Sequence, residues 1–307
     1  MSILFTNKII IPQLFYYISV QFSIIQIFSN QKKYIYISMK IVVFDLDETL
    51  GYFTQFGIFW DSIVSYAKSK NHETLSQSDF DDTLDLFPEV IRPNIINILA
   101  YLKDRKNANH CHKMMVYTNN NGPREWAQKI VQYFENKIKY KLIDQVIAAF
   151  KVNGETIEVG RTTSSKTYDD LVRCSKIPPN AEICFLDDTL YPGMTNDKIY
   201  YINIKPYFHD LQFEYMVNTF KNSGVGRRVI NSDDKFYAKI MNNIKLYNYK
   251  CNNKDSKEYE VDKIIGKYII SHLDVFFNKP RKPKTLRNMP RGGRSKTKKK
   301  HANSRGV

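Results

Sequence analysis

Residues 40–50, KIVVFDLDETL, give the strongest indication of the fold of this chain. Residues 41–44 form an uninterrupted apolar run rich in β-branched side chains, which is typical of a strand buried on both faces. Asp45 and Asp47 follow where the run ends, two residues apart. The stretch therefore predicts a buried parallel strand with two carboxylates at its carboxyl end.

Similar apolar runs recur downstream, at residues 114–117 and 183–186, and each ends in polar residues. Pro93 and Pro123 stand where helices would begin, and apolar residues follow both at helical spacing. Weaker strand-like runs occupy residues 144–150 and 199–204. The β-α-β-α-β alternation predicts an α/β fold with a doubly wound, Rossmann-like parallel sheet, in which ligands bind beyond the carboxyl ends of the strands.

Pattern and composition divide the chain into segments. Residues 39–210 hold the α/β pattern, and residues 51–90 within them are expected to form a small helical cap. Residues 211–278 form a helical C-terminal region with three amphipathic stretches, at 211–220, 236–247 and 259–273. Residues 279–307 lack apolar periodicity and are predicted to be a disordered basic tail.

The net charge of +15 lies mostly in that tail. The chain has 307 residues, with 46 Lys and Arg against 31 Asp and Glu, and hydrophobic residues make up 43%. Residues 279–305 contain twelve basic residues and no acid, and three lysines precede Met39, so 31 basic residues balance the 31 acids of the body. The composition excludes a largely disordered chain, and the neutral body does not indicate a nucleic-acid-binding surface.

The N-terminal extension, residues 1–38, allows three interpretations. Residues 9–31 carry no charge, and the run exceeds the roughly 20 residues that a membrane-spanning helix needs. Polar residues dilute the run, and no small-residue cleavage site follows it. The segment is a translated upstream sequence with the true start at Met39, a membrane anchor, or a packed N-terminal helix.

The two carboxylates of the first stretch suit phosphoryl transfer, which asks mainly for positioning and charge neutralisation. Asp45 could attack phosphorus and form an aspartyl-phosphate, which divides one difficult step into two. Asp47 could protonate the leaving oxygen and then activate water.

Further candidate residues follow the other strands. Thr118 and Asn119 end the second run before a helix and could bind phosphate through a hydroxyl and backbone N–H groups. Lys166 could neutralise the nucleophile and the phosphate, with Lys151 and Lys176 as rivals. Asp187 and Asp188 end the third run and would bind Mg²⁺ together with Asp45.

This ordered set resembles the haloacid dehalogenase (HAD) superfamily of aspartate-nucleophile phosphatases over about residues 40–207. The resemblance implies that Asp45 is the nucleophile, that Asp47 is the acid/base whose backbone carbonyl also reaches the metal, and that Thr118 is the phosphate-binding hydroxyl. It also implies that Lys166 is the stabilising lysine and that Asp187 and Asp188 bind the metal.

Within the superfamily, DLDETL and Arg92-Pro93 look like the NLI-interacting-factor-like phosphatases of the RNA polymerase C-terminal domain. Residues 181–207 resemble phosphatase-like proteins of large nucleocytoplasmic DNA viruses. The chain departs from the polymerase-tail phosphatases at Asn119-Asn120 and at the Asp187-Asp188 pair, where they often have smaller residues and Asp-Asn.

The sequence thus predicts a Mg²⁺-dependent phosphomonoester hydrolase that acts on a phosphoprotein. The alternatives are a polynucleotide 3′-phosphatase, or a protein that binds nucleic acid or a partner through residues 279–307. We expect a cytoplasmic or nuclear protein, in the host cell if it is viral, and a membrane protein if residues 9–31 are an anchor.

Overall fold

The structure is a computed structural model, and it describes residues 39–71, 74–122, 124–230, 233–252 and 254–278. Its centre is a five-stranded sheet in which all neighbouring strands run parallel. The sheet strands are β1 (Lys40–Phe44), β2 (Lys113–Tyr117), β3 (Gln145–Ile147), β6 (Glu182–Asp187) and β7 (Ile199–Asn203). A separate antiparallel hairpin joins β4 (Lys151–Val152) to β5 (Glu155–Thr156).

The strand order in the sheet is β3-β2-β1-β6-β7, so β1 lies in the middle. Val42 of β1 pairs with Met114 of β2 on one side and with Cys184 of β6 on the other. The chain moves outward from β1 to β3 and then returns to place β6 against the free side of β1. In such sheets the point where the order reverses leaves a crevice at the carboxyl ends of the strands. That point lies between β1 and β6.

Helices flank the sheet. They are α1 (Phe53–Ser69), α2 (Gln77–Leu84), α3 (Ile95–Asn107), α4 (Arg124–Ile138), α5 (Tyr168–Ser175), α6 (Phe213–Asn222), α7 (Gly224–Ile230), α8 (Phe236–Lys245) and α9 (Ser256–Asn278). Short 3₁₀ turns occupy Pro88–Val90 and Pro192–Met194. The class predicted from the sequence, an α/β fold with a parallel, Rossmann-like sheet, is confirmed.

Alternate residues of each central strand enter two separate cores, as strand geometry requires. Val42 and Phe44 of β1 point into a large core with most of the helices. Ile41 and Val43 point to the other face, into a smaller core that includes Leu171 of α5. All four side chains are fully buried, which explains why the run reads as continuously apolar rather than alternating.

Several elements differ in extent from the sequence predictions. The run at residues 144–150 contributes only Gln145–Ile147, and the next carbonyl, that of Ala148, accepts a hydrogen bond from the Arg161 side chain at 2.9 Å. Helix α3 begins at Ile95 rather than at Pro93, since Asn94 adopts a left-handed conformation with φ of 67°. The pattern did not predict α7, whose two glycines lower its helix propensity.

Residues 51–90, the segment expected to form a small cap, hold α1, α2 and the first 3₁₀ turn. Ser76 and Asp79 form a capping box at the start of α2. The segment packs on α4 through aromatic rings, with Phe56 stacked on Trp126 and Phe80 edge-on to the same indole. These contacts set α1 and α2 beside the chain that follows β2.

The predictions for the two ends of the chain fall on residues 1–38 and 279–307, which lie outside the described residues. In the part of the chain that the structure describes, no helix is both long enough and apolar enough to cross a membrane.

Candidate active site

Three carboxylates converge at the point where the strand order reverses. Asp45 directly follows β1, Asp187 is the last residue of β6, and Asp188 comes next. Each contributes an oxygen that lies within 4.8 Å of the others. The backbone N–H of Asp45 donates to the carbonyl of Leu186 at 2.9 Å, which holds the two strand ends together.

Lys166 places its ammonium between two of these carboxylates. Its Nζ donates to Asp45 Oδ1 and, at 2.6 Å, to Asp187 Oδ2. The side chain is 1% exposed, and its Nζ lies 5.2–5.9 Å from the ring centres of Tyr117, Phe185 and Tyr191. Burial opposes protonation, but the two carboxylates outweigh it and raise the pKa of Lys166. The raised pKa favours the charged ammonium form of the lysine.

The chain before α5 holds Lys166 in place. The Thr167 side chain caps α5 by accepting the N–H of Asp170. The Asp170 carboxylate in turn accepts the N–H of Thr162 at 3.0 Å and its hydroxyl at 2.9 Å. The loop is thus tied to the helix on both sides of Lys166. Lys176, the rival lysine, is exposed at the carboxyl end of α5 in a left-handed conformation, and the structure does not bring it to the carboxylates.

Burial dominates the electrostatics of the acids. Loss of water raises the pKa of Asp45 despite the ammonium of Lys166, and it raises that of Asp187 to about 7. The same cause, opposed mainly by a hydrogen bond from Asn120, raises the pKa of Asp47 to about 6. Burial and three neighbouring carboxylates raise the pKa of Glu48 to about 8. Burial thus favours the neutral forms of these acids, and a bound cation would favour their charged forms.

Asp47 lies in a tight turn just beyond β1. Glu48 adopts a left-handed conformation with φ of 54°, and Asp47 bridges to Gly51. A Cβ on Gly51 would approach the carbonyl oxygen of Val90 to 2.6 Å, so only glycine fits there. The turn directs the side chain of Asp47 to Asn120, whose Nδ2 donates to Asp47 Oδ2 at 2.7 Å.

Arg92 forms hydrogen bonds to the backbone of this turn. Its guanidinium is 1% exposed and donates to the carbonyls of Thr49 at 2.7 Å, Glu48 at 2.5 Å and Lys205 at 2.8 Å. Arg92, which precedes Pro93 in the sequence, therefore joins the turn to the chain that follows β7.

The segment after β2 supplies the other wall of the site. Thr118 is buried, and its Oγ1 accepts the backbone N–H of Asn120 at 2.9 Å, which leaves its hydroxyl hydrogen available for a ligand. The side-chain amide of Asn119 forms hydrogen bonds with Tyr191 and Arg161. Its Nδ2 donates to the tyrosine hydroxyl at 3.0 Å, and its Oδ1 accepts from the guanidinium at 2.7 Å. Arg161 also donates to the carbonyl of Thr118 at 3.0 Å.

Sequence reasoning missed several of these contacts. Thr49 donates to Asp188 Oδ1 at 2.9 Å and accepts the N–H of Asp188 at 3.2 Å, which orients that carboxylate. Its position inside DLDETL could have been a signal. Arg161 and Asn120 carry no such signal, because an isolated arginine and the middle of three asparagines are not distinctive.

A cleft of about 550 Å³ opens beside the site, between α1 and α4. Its wall is largely apolar and aromatic, with Phe53, Ile58, Val64 and Trp126 among its residues, and it also holds Asp61, Lys68, Glu125 and Lys129. The cleft reaches Asn120. A smaller cavity of about 120 Å³ is lined by both Thr118 and Asn120. Bulky groups therefore have room next to Asn120.

The residues present fit a divalent cation with a preference for oxygen ligands. Asp45, Asp187 and Asp188 offer a purely carboxylate donor set at close range. Mg²⁺ favours such ligands and keeps several waters. An ion held there would reduce the repulsion among the three carboxylates when they are charged.

Comparison with known proteins identified no relative: the sequence matches no protein-family model and no curated protein. The class defined by the fold is α/β with a parallel, Rossmann-like sheet, and the candidate site is an acidic cluster with a buried lysine at the carboxyl edge of that sheet.

Proposed function

We propose that the chain is a Mg²⁺-dependent phosphomonoester hydrolase of the HAD type. The observation that carries the proposal is the convergence of Asp45, Lys166, Asp187 and Asp188 where the strand order reverses. Asp47 follows β1 and Thr118 follows β2, and Asn120 forms a hydrogen bond with each of them. Because a lone D-x-D pair is common, the agreement of separate segments at one sheet edge weighs more than any single motif.

In the first step, a carboxylate oxygen of Asp45 attacks phosphorus and forms the aspartyl-phosphate bond while the bond to the leaving oxygen breaks. Asp47 donates its proton to that oxygen, so the alcohol leaves neutral. A pKa raised to about 6 by burial supports this role, since it keeps part of the carboxyl protonated near neutral pH.

In the second step, Asp47 removes a proton from a water molecule that attacks phosphorus. The bond between phosphorus and the Asp45 oxygen breaks, inorganic phosphate leaves, and Asp45 returns to its carboxylate form. Asp47 regains the proton that it gave up, which restores the enzyme.

Lys166 and Thr118 bind the phosphoryl group. The ammonium of Lys166 neutralises the nucleophile and the phosphoryl oxygens, and the free hydroxyl hydrogen of Thr118 donates to one of those oxygens. Asp45, Asp187, Asp188 and the backbone carbonyl of Asp47 would hold the metal. An ion held there would neutralise charge on the phosphoryl group.

The 550 Å³ cleft supports a bulky leaving group, and we propose a phosphoprotein as the substrate class. The cleft pairs two acids with two lysines, and the body of the chain carries no net positive charge. A polyanionic oligonucleotide would gain little from such a wall. The polynucleotide 3′-phosphatase alternative becomes an outcome of the test.

The test is phosphate release by the full chain, with and without Mg²⁺, from a phosphoserine peptide and a 3′-phosphorylated oligonucleotide. We expect Mg²⁺-dependent release with preference for the peptide. Asp45→Asn should abolish it, whereas Asp104→Asn, the same change at an exposed position of α3, should retain it. Preference for the oligonucleotide would overturn the substrate class, and activity retained in Asp45→Asn would overturn the mechanism.

A further inference from the structure

The side-chain amide of Asn120 is held in one orientation. Its Oδ1 accepts the backbone N–H of Gly122 at 2.8 Å, and its own backbone N–H donates to Thr118 Oγ1 at 2.9 Å. Because a backbone N–H can only donate, the atom that faces Gly122 must be the amide oxygen. The atom that faces Asp47 is then the amide nitrogen, which can only donate.

This orientation makes the two oxygens of Asp47 different. Oδ2 accepts the N–H of Asn120 at 2.7 Å. Oδ1 is buried and has no hydrogen-bond partner among the residues that the structure describes. A proton on Oδ2 would face an amide hydrogen, so the proton of the neutral acid belongs on Oδ1. Oδ1 is thereby the oxygen on which a proton does not compete with the hydrogen bond from Asn120.

We infer that Asn120 is a positioning residue that assigns proton transfer to Oδ1 of Asp47. This inference rests on the proposed function and deepens it. When the ester is cleaved, the Oδ1–H bond breaks, the leaving oxygen gains the proton, and the electron pair of the broken bond to phosphorus becomes the new O–H bond. The negative charge left on Asp47 is stabilised by the hydrogen bond from Asn120 to Oδ2.

The neighbouring asparagines do not share this role. Both ends of the Asn119 amide are engaged by Tyr191 and Arg161, away from the carboxyl. Asn121 is exposed to solvent. The cleft and the smaller cavity are both lined by Asn120, the residue that donates to Asp47.

The decisive variant is Asn120→Asp. Its carboxylate can still accept the N–H of Gly122, so the turn is retained, but it cannot donate to Asp47. Asn121→Asp is the matched control, because it adds the same charge one residue further on at an exposed position. Asn120→Ala removes the donor without adding charge and serves as the second variant.

The measurement compares kcat on 4-nitrophenyl phosphate, whose leaving group needs little protonation, with kcat on phenyl phosphate, whose leaving group depends on it. Both Asn120 variants should lower kcat on phenyl phosphate at least about 10-fold more than kcat on 4-nitrophenyl phosphate. Asn121→Asp should leave the ratio unchanged. An equal loss on both esters would show that Asn120 has only a structural role and would overturn the inference.

A second readout does not depend on activity. The side-chain NH₂ resonances of Asn120 should shift in Asp47→Ala, and an unchanged spectrum would contradict the contact. Failure of the proposed function looks different. If the wild type shows no Asp45-dependent hydrolysis of any ester, the function fails and this inference falls with it. If hydrolysis depends on Asp45 but the ester ratio is constant, the inference alone falls.

Discussion

Lys166 and Asp187 form an ion pair of 2.6 Å in which each side chain is only 1% exposed to solvent. The same ammonium also binds Asp45, so one cation serves two buried carboxylates. Asp188 adds a third carboxylate within 4.8 Å. A buried ion pair costs desolvation energy and contributes little to stability, whereas a buried charge without its partner is strongly unfavourable. These ion pairs are therefore weak evidence for a role in stability.

Removal of the lysine should expose this imbalance. We expect Lys166→Met to lower the free energy of unfolding by about 3 kcal/mol in metal-free buffer at pH 7, because two carboxylates lose their partner inside the protein. Mg²⁺ should recover part of the loss, since an ion that binds the folded state stabilises it. Urea denaturation with and without Mg²⁺ measures both effects. The control is Lys176→Met at the exposed end of α5, and equal stability of the two variants would contradict the prediction.

Thr49 should control how tightly the site binds a metal. Its hydroxyl donates to Asp188 Oδ1 at 2.9 Å, and residues that orient ligands typically affect affinity at least about 10-fold. We expect Thr49→Val, which keeps the shape and removes the donor, to weaken Mg²⁺ binding by about that factor in calorimetric titration. Thr83→Val makes the same change at a buried threonine whose hydroxyl bonds to a carbonyl within α2. Equal Mg²⁺ affinity in the two variants would disprove the role of Thr49.

Asp170 should make the Lys166 loop sensitive to acid. Burial alone would raise the pKa of this carboxyl, but hydrogen bonds from Thr162 and the Arg173 guanidinium outweigh it and lower the pKa. A lowered folded-state pKa means that the stabilisation is present above the unfolded-state value of about 4 and is lost as pH falls through the folded-state value.

We therefore expect Asp170→Asn to destabilise the protein by about 2 kcal/mol at pH 7, in line with lost hydrogen bonds to a charged group. The difference from wild type should begin to shrink below about pH 4, because the unfolded chain takes up the proton there before the folded carboxyl does. Urea denaturation at pH 7, 5 and 3.5 measures this. Asp169→Asn, at the exposed neighbour, should show no such trend. A difference that is constant with pH would rule out the carboxylate as the cause.

Arg92 should stabilise the turn that carries Asp47. Its guanidinium serves three carbonyls in a fixed fork, a geometry that a lysine ammonium cannot reproduce. We expect Arg92→Lys to cost about 2 kcal/mol of unfolding free energy, since it leaves a buried carbonyl unpaired. Arg105→Lys, which alters a partly exposed contact with Asp274, should cost less than about 1 kcal/mol. Similar losses in both variants would argue against a special role for Arg92.

The sequence predicted the central strands and the class of the fold because their signals are local. An uninterrupted apolar run indicates a strand buried on both faces. The strands β1, β2 and β6 coincide with three such runs, each followed by polar residues. The helix boundaries were less exact. Asn94 starts α3 through a left-handed conformation, and the two glycines of α7 weaken the helical pattern.

The choice between Lys166 and Lys176 could not be made with certainty from local sequence. Both lysines adjoin α5, and their local sequence gives no distance to Asp45. In the structure, Lys166 precedes the helix on the side of the sheet edge, whereas Lys176 follows it and faces solvent. The preference for Lys166 agrees with this geometry, and its catalytic role stays a prediction.

That Asp45 and Asp47 follow a buried strand could be predicted from the sequence, because apolar periodicity and chain order are properties of neighbouring residues. Folding of the whole chain was needed to show that Asn120, rather than Asn119 or Asn121, bonds to Asp47, and that Thr49 orients Asp188. Those pairs are separated by 73 and 139 residues, and hydrogen bonds over such separations depend on side-chain directions set by the packing of the whole sheet.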